Sequence, residues 1–417
     1  MREEMRVLVI ANNAVCANNS NGKVMRSYLR CFSDKELFSF FIDKSNSAGL
    51  DQDHFFCVDD HSALASFRTL GIRKSSRDLG LNSTRIDGKG RKKNAFIYWL
   101  RYVVWNSGLW KTKEYKNWVE SIKPTHVCLM LGNNPYLYKL SRRIASKTQA
   151  KLVVFAGEDY PLKNYDYFRK TEKKAFFFRV FQHVLRRECR LLFHKASLVV
   201  FNSKYIAADY SSFARPKRLA ILYQPSDMVS CEERPRIIEK TVLYAGNLGV
   251  GRLDALLSFS DELLAFDPEI RIRVFSKIAE EDLARLKARP NIEFCGFVSN
   301  EALREEIDRA DVLVHIESFD EYSVVNLRNA FSAKIADMIC SNRRILMYAP
   351  MQLAETRYFL EYLPLNVAVS RETLAERLEY IFGENYDFDS VRKIACRHMA
   401  STCSKEIRAL FEEDRRS

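Results

Sequence analysis

The feature that most constrains this chain is a repeated pattern of short, β-rich apolar runs separated by helix-like stretches. In the first half the runs are RVLVIAN (6–12), FSFFID (38–43), HFFCVD (54–59), THVCLML (125–131), KLVVFAG (151–157), LVVFN (198–202) and AILYQ (220–224). In the second half they are TVLYAG (241–246), IRIRVFS (270–276), IEFCG (292–296), DVLVHI (311–316), RILMYA (344–349) and NVAVS (366–370). Many are continuously apolar rather than alternating, which is the pattern of strands buried on both faces of a parallel sheet. Segments 22–31, 135–146, 253–265, 279–289, 301–309 and 331–339 read as helices between them. Alternation on this scale predicts an α/β protein of two Rossmann-like, doubly wound domains with a central cleft between them. The polar stretch PSDMVSCEERPRIIEK (225–240) marks the boundary. The expected organisation is an N-terminal domain over 1–230, a C-terminal domain over 231–390, and a C-terminal helix over 391–417 crossing back onto the first domain. No internal repeat of 20–50 residues is visible, which argues against a solenoid.

Composition narrows the classes further. The chain has 417 residues, of which 47% are hydrophobic and 29% charged. That balance excludes wholesale disorder and disulfide-scaffold folds. No apolar run approaches the ~20 residues of a membrane-spanning helix, and MREEMRVLVIANN does not read as a signal peptide. The ten cysteines are scattered, with no C-x-x-C pair. They read as reduced thiols of a cytoplasmic protein, and no metal site is expected. Charge divides unevenly: residues 1–230 carry a net +20 and the remainder −7. A lobe this basic suits an anionic surface, either nucleic acid or a membrane leaflet.

Ligands of doubly wound sheets bind beyond the carboxyl ends of the strands, so the loops after strands are where chemistry is sought. After the first run comes a polar loop with Asn12, Asn13, Asn18, Asn19, Ser20, Asn21 and Gly22, and Lys23 opens the next helix. Amides at a helix start plus a lysine suit a phosphate or a sugar hydroxyl, although Asn and Gly also simply make turns. After the run at 241–246 comes AGNLGVGR, in which Gly246, Gly249 and Gly251 permit close backbone approach and Arg252 begins a helix. A guanidinium there can grip a diphosphate through two parallel hydrogen bonds; the plainer reading is a glycine-rich connector with a solvated arginine. After the run at 311–316, the predicted helix 331–339 sets Lys334 and Asp337 three residues apart on one face. Asp337 could accept ribose hydroxyls, or the pair could be a surface salt bridge. Neither G-x-G-x-x-G nor the Walker pattern is present.

Taken together, these segments resemble GT-B glycosyltransferases, particularly the retaining family 4 and its capsule, exopolysaccharide and lipid-linked-glycan relatives. YAGNLGVGR is similar to that family's strand and phosphate loop, and FSAKIADMICSNRRILMYAP to its ribose-binding segment. SNGKVMRSYL is similar to an acceptor-lobe loop containing Asn21, Gly22 and Lys23, while GEDYPL and LFHKASLVVFNSKYI resemble the strands before the interdomain connection. The resemblance implies a metal-independent, retaining transferase with no bound cofactor, using a nucleotide-sugar of UDP or GDP type as donor. It implies donor contacts at Gly246, Asn247, Gly249, Arg252, Glu317, Ser332, Lys334 and Asp337. Asp337 takes the place of the family's ribose-binding acid, and Arg252 and Lys334 would stabilise the departing diphosphate. The chain departs from the family in three places. The first acid of the paired-acid motif is Asn329, the partner arginine is Asn247, and Gly-x-Pro reads Asn342-Arg343-Arg344. Glu317, Glu321 and Lys334 are the nearby groups able to take over those duties.

Two first-half segments interleave aromatics and cations: 90–120, with all four tryptophans (Trp99, Trp105, Trp110 and Trp118), and 167–196, with Phe177, Val180, Phe181, Val184, Leu185 and Leu192 along one helical stripe. Each reads by itself as a helix packed on its sheet. With the +20 charge they point to peripheral attachment to the inner face of the membrane and to a lipid-linked glycan acceptor. The seven histidines form no recognisable triad; His126 and His315, inside apolar runs, read as structural. Two other readings stay open: a catalytically silent GT-B scaffold, and a nucleic-acid-binding protein using the basic lobe, although no specific nucleic-acid partner is expected because no recognised module is present.

Overall fold

The computed structural model describes residues 5–15, 20–43, 52–70, 94–228 and 237–416, the side chains of Ser20 and Asn21 excepted. Asn18, Asn19, Cys16, Cys231 and the cationic start of the tryptophan-rich segment (90–93) lie outside the described residues. The chain divides into two compact units, one of Met1–Tyr223 with Cys403–Ser417 and one of Gln224–Thr402.

The first unit is built on seven strands, β1 (Val7–Asn13), β2 (Leu37–Asp43), β3 (Phe55–Cys57), β4 (His126–Met130), β5 (Lys151–Ala156), β6 (Leu198–Phe201) and β7 (Leu219–Ile221). Their order is β3-β2-β1-β4-β5-β6-β7 and every pairing is parallel. Val7 pairs with Leu37 on one side and His126 on the other, so β1 is central. Val7–Ala11 are all buried, which is why the run is continuously apolar. Helices fall where capping residues start them: Asp59 accepts from Ser62 N at 2.8 Å before Asp60–Arg68, and Pro135 opens Pro135–Thr148.

Three of the four tryptophans belong to this unit's core. Trp105, Trp110 and Trp118 are buried, and Trp105 stacks on Tyr136 at 4.8 Å. The tryptophan-rich stretch is therefore mainly an interior element. Only its start, in the helix Ala95–Asn106, exposes Phe96, Ile97 and Leu100. In the helix Phe176–Lys195 the buried stripe is Phe178, Phe181, Leu185, Cys189 and Leu192. It shares Phe181, Leu185 and Leu192 with the expected stripe and departs from it at the start, where Phe178 is buried and Phe177 is exposed, as is Phe176.

The predicted C-terminal helix is two helices, Phe388–Ala395 and Ala400–Arg416. Between them the chain forms a parallel bridge from Met399 to Ser226, with Ser226 N donating to His398 O at 2.6 Å and Ala400 N to Ser226 O at 2.9 Å. Extended backbone of this kind cannot continue a helix. Beyond it, Phe411 stacks on the His126 ring at 4.7 Å and packs on Phe32, and Asp414 accepts from Ser197 Oγ at 2.6 Å. The last helix thus completes the first unit.

The second unit holds β8 (Thr241–Ala245), β9 (Arg271–Phe275), β10 (Ile292–Gly296), β11 (Val312–Ile316), β12 (Arg344–Tyr348) and β13 (Val367–Ala368). They run in parallel in the order β10-β9-β8-β11-β12-β13. Strand order reverses between β8 and β11, as it does between β1 and β4 in the first unit. Such a reversal marks the point, beyond the carboxyl ends of the two central strands, where doubly wound sheets take their ligands.

Candidate functional site

The carboxyl end of β8 leads into the glycine loop. Gly246 N donates to Phe275 O at 3.0 Å, Tyr244 Oη to Asn247 O at 3.1 Å, and Gly249 N to Asn247 Oδ1 at 2.8 Å. The Asn247 amide oxygen thus turns the loop from within. Val250 and Gly251 both take left-handed backbone, at φ of 59° and 72°, and Ser323 Oγ donates to Val250 O at 3.1 Å. Gly251 is the N-cap of the helix Arg252–Phe266 and has no capping side chain. Two glycines are required by space as well as turning. A methyl on Gly246 would collide with the Lys334 ammonium, and one on Gly251 with the side chains of Ser318 and Asp320.

From β11 the side chains of His315 and Glu317 project to the same side, two residues apart along extended chain. Glu317 Oε2 accepts from Arg252 Nε at 2.8 Å, and its Oε1 lies 3.3 Å from His315 Nε2. The same His315 Nε2 lies 2.8 Å from Glu355 Oε1, and Glu355 Oε2 accepts from Ser332 N at 3.1 Å. His315, Glu317 and Glu355 are each at most 3% exposed. All four carboxylate oxygens have a donor. Ser332 is the N-cap of the helix Ala333–Cys340, which carries Lys334. The ammonium of Lys334 is placed against Gly246 and 5.7 Å from the centre of the Tyr244 ring.

The electrostatics follow from this packing. Burial alone would lower the pKa of His315, but the charges and hydrogen bonds of Glu355 and Glu317 outweigh it and the net direction is up. Burial would raise Glu317, yet His315 and Arg252 hold it below the ordinary carboxylate range. For Arg252 the charge and hydrogen bond of Glu317 overcome the burial penalty. Lys334 goes the other way: burial and the like charge of Arg252 lower it against the partial support of Glu317 and Glu355. Among the described residues no carboxylate pairs with its ammonium within 4.0 Å. Arg252, Lys334 and a protonated His315 face Glu317 and Glu355, with the Asp320 carboxylate beside Gly251. The Lys334 ammonium is the cation without an ion-pair partner among the described residues. It sits at a glycine loop that leads to an uncapped helix start, an arrangement that suits an anion with several oxygens.

Arg252, Glu317, Ser332, Lys334 and Gly246 are therefore brought together, with Asn247 and Gly249 building the loop beside them. Asp337 lies one turn along the helix from Lys334, where its Oδ1 accepts from Ser226 Oγ at 2.6 Å. Asn329 is buried, and Glu321 is exposed in the first turn of Glu321–Leu327. Asn21, Gly22 and Lys23 lie in the first turns of Ser20–Tyr28, after β1 in the first unit. Sequence reading missed His315 and Glu355. The i, i+2 spacing of His315 and Glu317 was a usable signal; nothing local marks Glu355, which comes from a helix 40 residues further on. His315, Glu317 and Glu355 hold ligand-type atoms within 4.8 Å of one another. Each of these atoms already has an internal partner, so the cluster is accounted for as a hydrogen-bonded network and no metal is assigned to it.

No protein-family model and no curated protein matches the chain. Solved structures do. Anabaena Alr3699/HepE in complex with UDP aligns with a TM-score of 0.62 at 11% identity, covering 98% of this chain and 100% of that one. TarM aligns with a TM-score of 0.62 at 8% identity, over 99% of both chains. The UDP-forming α,α-trehalose-phosphate synthase from Burkholderia xenovorans, in complex with glucose-6-phosphate, aligns at 0.53 and 10% identity, covering 99% and 100%. At these identities the likeness is one of fold. The two parallel sheets with their helices are the two Rossmann-like domains of the GT-B architecture.

Proposed function

We propose that this protein is a glycosyltransferase that moves a sugar from a nucleoside diphosphate, of UDP or GDP type, to a glycan acceptor. The observation that carries the reading is the Lys334 ammonium, set against Gly246 beside Arg252 with no carboxylate of its own among the described residues. The UDP held by the HepE structure of the same fold supports a nucleotide donor. Arg252 and Lys334 would bind the diphosphate, Gly246 and Gly249 would allow its oxygens to approach the backbone, and Asp337 would face the ribose. In the transfer step the bond between the anomeric carbon and the diphosphate oxygen breaks, and its electron pair leaves with the diphosphate. The acceptor hydroxyl oxygen bonds the same carbon, and its proton passes to the departing oxygen. Attack on the face that the diphosphate leaves retains configuration and needs no protein nucleophile. The two cations stabilise the charge that grows on the leaving group, a role in which one well-placed donor is worth about 3–4 kcal/mol of barrier. Calorimetry with UDP and GDP tests the reading: micromolar binding that weakens at least tenfold in Lys334→Met is expected, and no binding of either nucleotide would overturn it.

Acceptor and location extend the same proposal. At the starts of the helices Ala95–Asn106 and Phe176–Lys195, Phe96 meets Phe177 at 4.8 Å, with Trp99 and Phe176 beside them. Phe176 is 72% exposed, and Lys173, Arg179, Arg187 and Arg190 are exposed on the same stretch. An aromatic tip flanked by cations suits the headgroup layer of an anionic leaflet, at ~1 kcal/mol per cation near the surface. This would bring the enzyme to a lipid-linked acceptor. No helix among the described residues is long and apolar enough to cross a membrane. The protein should sediment with phosphatidylglycerol vesicles and not with phosphatidylcholine vesicles, and Phe176→Ser with Phe177→Ser should abolish this. Sedimentation unchanged in the double variant would remove the tip from the proposal.

A further inference from the structure

The buried network behind the cations has no duty in the transfer step as written, and its construction is costly. Two carboxylates and an imidazole, each at most 3% exposed, are held where hydrophobic side chains would pack without penalty. Its two ends are also specific. One ends on Arg252 Nε, the other on the backbone N of Ser332, which caps the helix bearing Lys334. We infer that His315 and Glu355 are positioning residues: bridging Glu317 and Glu355, the imidazolium of His315 fixes the Arg252 guanidinium and the start of the Lys334 helix relative to one another, so that both cations meet one diphosphate.

The geometry leaves little alternative for the proton. His315 Nε2 lies within 3.3 Å of an oxygen of each glutamate, and ionised carboxylates only accept. A single N–H at Nε2 can be shared between them whether the ring is neutral or charged, but only the imidazolium also neutralises one of their two charges. If the ring loses that charge, the N–H can stay in place, but two buried carboxylates then share one neutral donor, and their repulsion favours one of them turning away or taking up a proton. Turning Glu317 releases Arg252; turning Glu355 releases Ser332. The charged and titratable groups around the ring are Glu317 from the same strand end, Glu355 from Ala354–Tyr362, Arg252 from the helix after the glycine loop, Lys334 from Ala333–Cys340, and Tyr244 from β8. The glutamates favour the imidazolium; Arg252 and Lys334 oppose it. The raised pKa of His315 means that the contribution is complete below its unfolded value of 6.5 and is lost as pH rises through the higher folded value.

The inference rests on the nucleotide reading for its purpose but not for its test. The Nε–H of Arg252, assigned by its disappearance in Arg252→Lys, can be followed by nitrogen-15 NMR in the ligand-free protein. It should be protected from solvent exchange in the wild type, and its signal should shift over the pH range in which the His315 ring titrates. In His315→Gln and in the nearly isosteric Glu355→Gln, exchange should speed at least fivefold, with a melting curve showing each variant folded. UDP affinity should fall about tenfold in both, and the weakening of wild-type binding at alkaline pH should be absent from His315→Gln. Exchange and pH response unchanged in a folded Glu355→Gln would overturn the inference, whatever nucleotide binding shows. Loss of protection in the variants with no nucleotide bound by the wild type would keep the network and refute the donor assignment.

Discussion

The two units have their switch point at the same place in the same topology, yet they furnish it differently. At the switch point of the first unit Asn134 Nδ2 donates to Asn12 Oδ1 at 2.5 Å, and Arg101 donates to Asn134 Oδ1 at 2.8 Å. Arg101 Nε pairs with Asp60 at 2.7 Å, Trp105 Nε1 donates to the same oxygen at 2.9 Å, and the guanidinium lies 5.4 Å from the centre of the Tyr136 ring. In this group of described residues the one cation, Arg101, meets the carboxylate of Asp60, and Asn12 and Asn134 are amides. At the switch point of the second unit Arg252 has its carboxylate and Lys334 does not. Topology alone gives each unit the same switch point; the Lys334 ammonium without an ion-pair partner among the described residues distinguishes the second.

The sharpest way to break this contrast is to delete one arginine from each switch point. Arg252→Ala should lower sugar transfer on the order of 10²–10³-fold, whereas Arg101→Ala should leave nucleotide affinity unchanged and cost about 1 kcal/mol in a denaturant titration. Equal losses of nucleotide binding would show that the two switch points are not differently equipped. Acid is the next largest lever, and it acts on both units. Burial pushes His126 in the first unit and His398 in the second down to about 4. A histidine whose folded pKa is depressed leaves stability intact above its unfolded value near 6.5 and removes it as pH falls toward 4, here on the order of 3 kcal/mol for each group. Urea midpoints measured from pH 7 to pH 4 should therefore fall, and His126→Phe should flatten part of the slope.

Lys334→Met should weaken UDP binding at least tenfold while leaving the melting temperature within a degree or two, because an ammonium without a carboxylate partner contributes little to the fold. A large loss of stability would mean that Lys334 serves packing instead. Glycine substitutions should separate strain from function at the smallest scale. Gly251→Ala, forced to keep φ near 72° against Ser318, should cost about 1–3 kcal/mol. Gly246→Ala should cost less, since a flexible ammonium can move aside, but it should weaken UDP binding by displacing Lys334. Both are readable by thermal shift with and without UDP.

The strands were legible because each is buried on both faces, so that runs such as VLVIA at 7–11 are apolar without interruption. The positions of Arg252 and Lys334 were legible because Arg252 opens the helix after the β8 loop and Lys334 lies in the first turn of the helix that the pattern at 331–339 predicts. Three things were not. The stripe of Phe176–Lys195 is as expected at Phe181, Leu185 and Leu192 but not at its start, since Phe176, Phe177 and Phe178 are chemically alike and only packing chooses Phe178 for the interior. The break at 396–399 depends on a backbone bridge to Ser226, a partner more than 170 residues away. His315 was set aside because a histidine within an apolar run is ordinarily a core residue; what gives it another meaning is Glu355, which sequence distance conceals.

The path of the chain through the two units carries a consequence for biogenesis. The second unit is one uninterrupted stretch, Gln224–Thr402, while the first needs Cys403–Ser417 to cover His126 and Phe32. During synthesis the first unit has all its strands by Ile221, but the helix that completes it is made only after the whole of the second unit. Removing Cys403–Ser417 would leave Gln224–Thr402 whole and strip the first unit of the helix that covers His126 and Phe32.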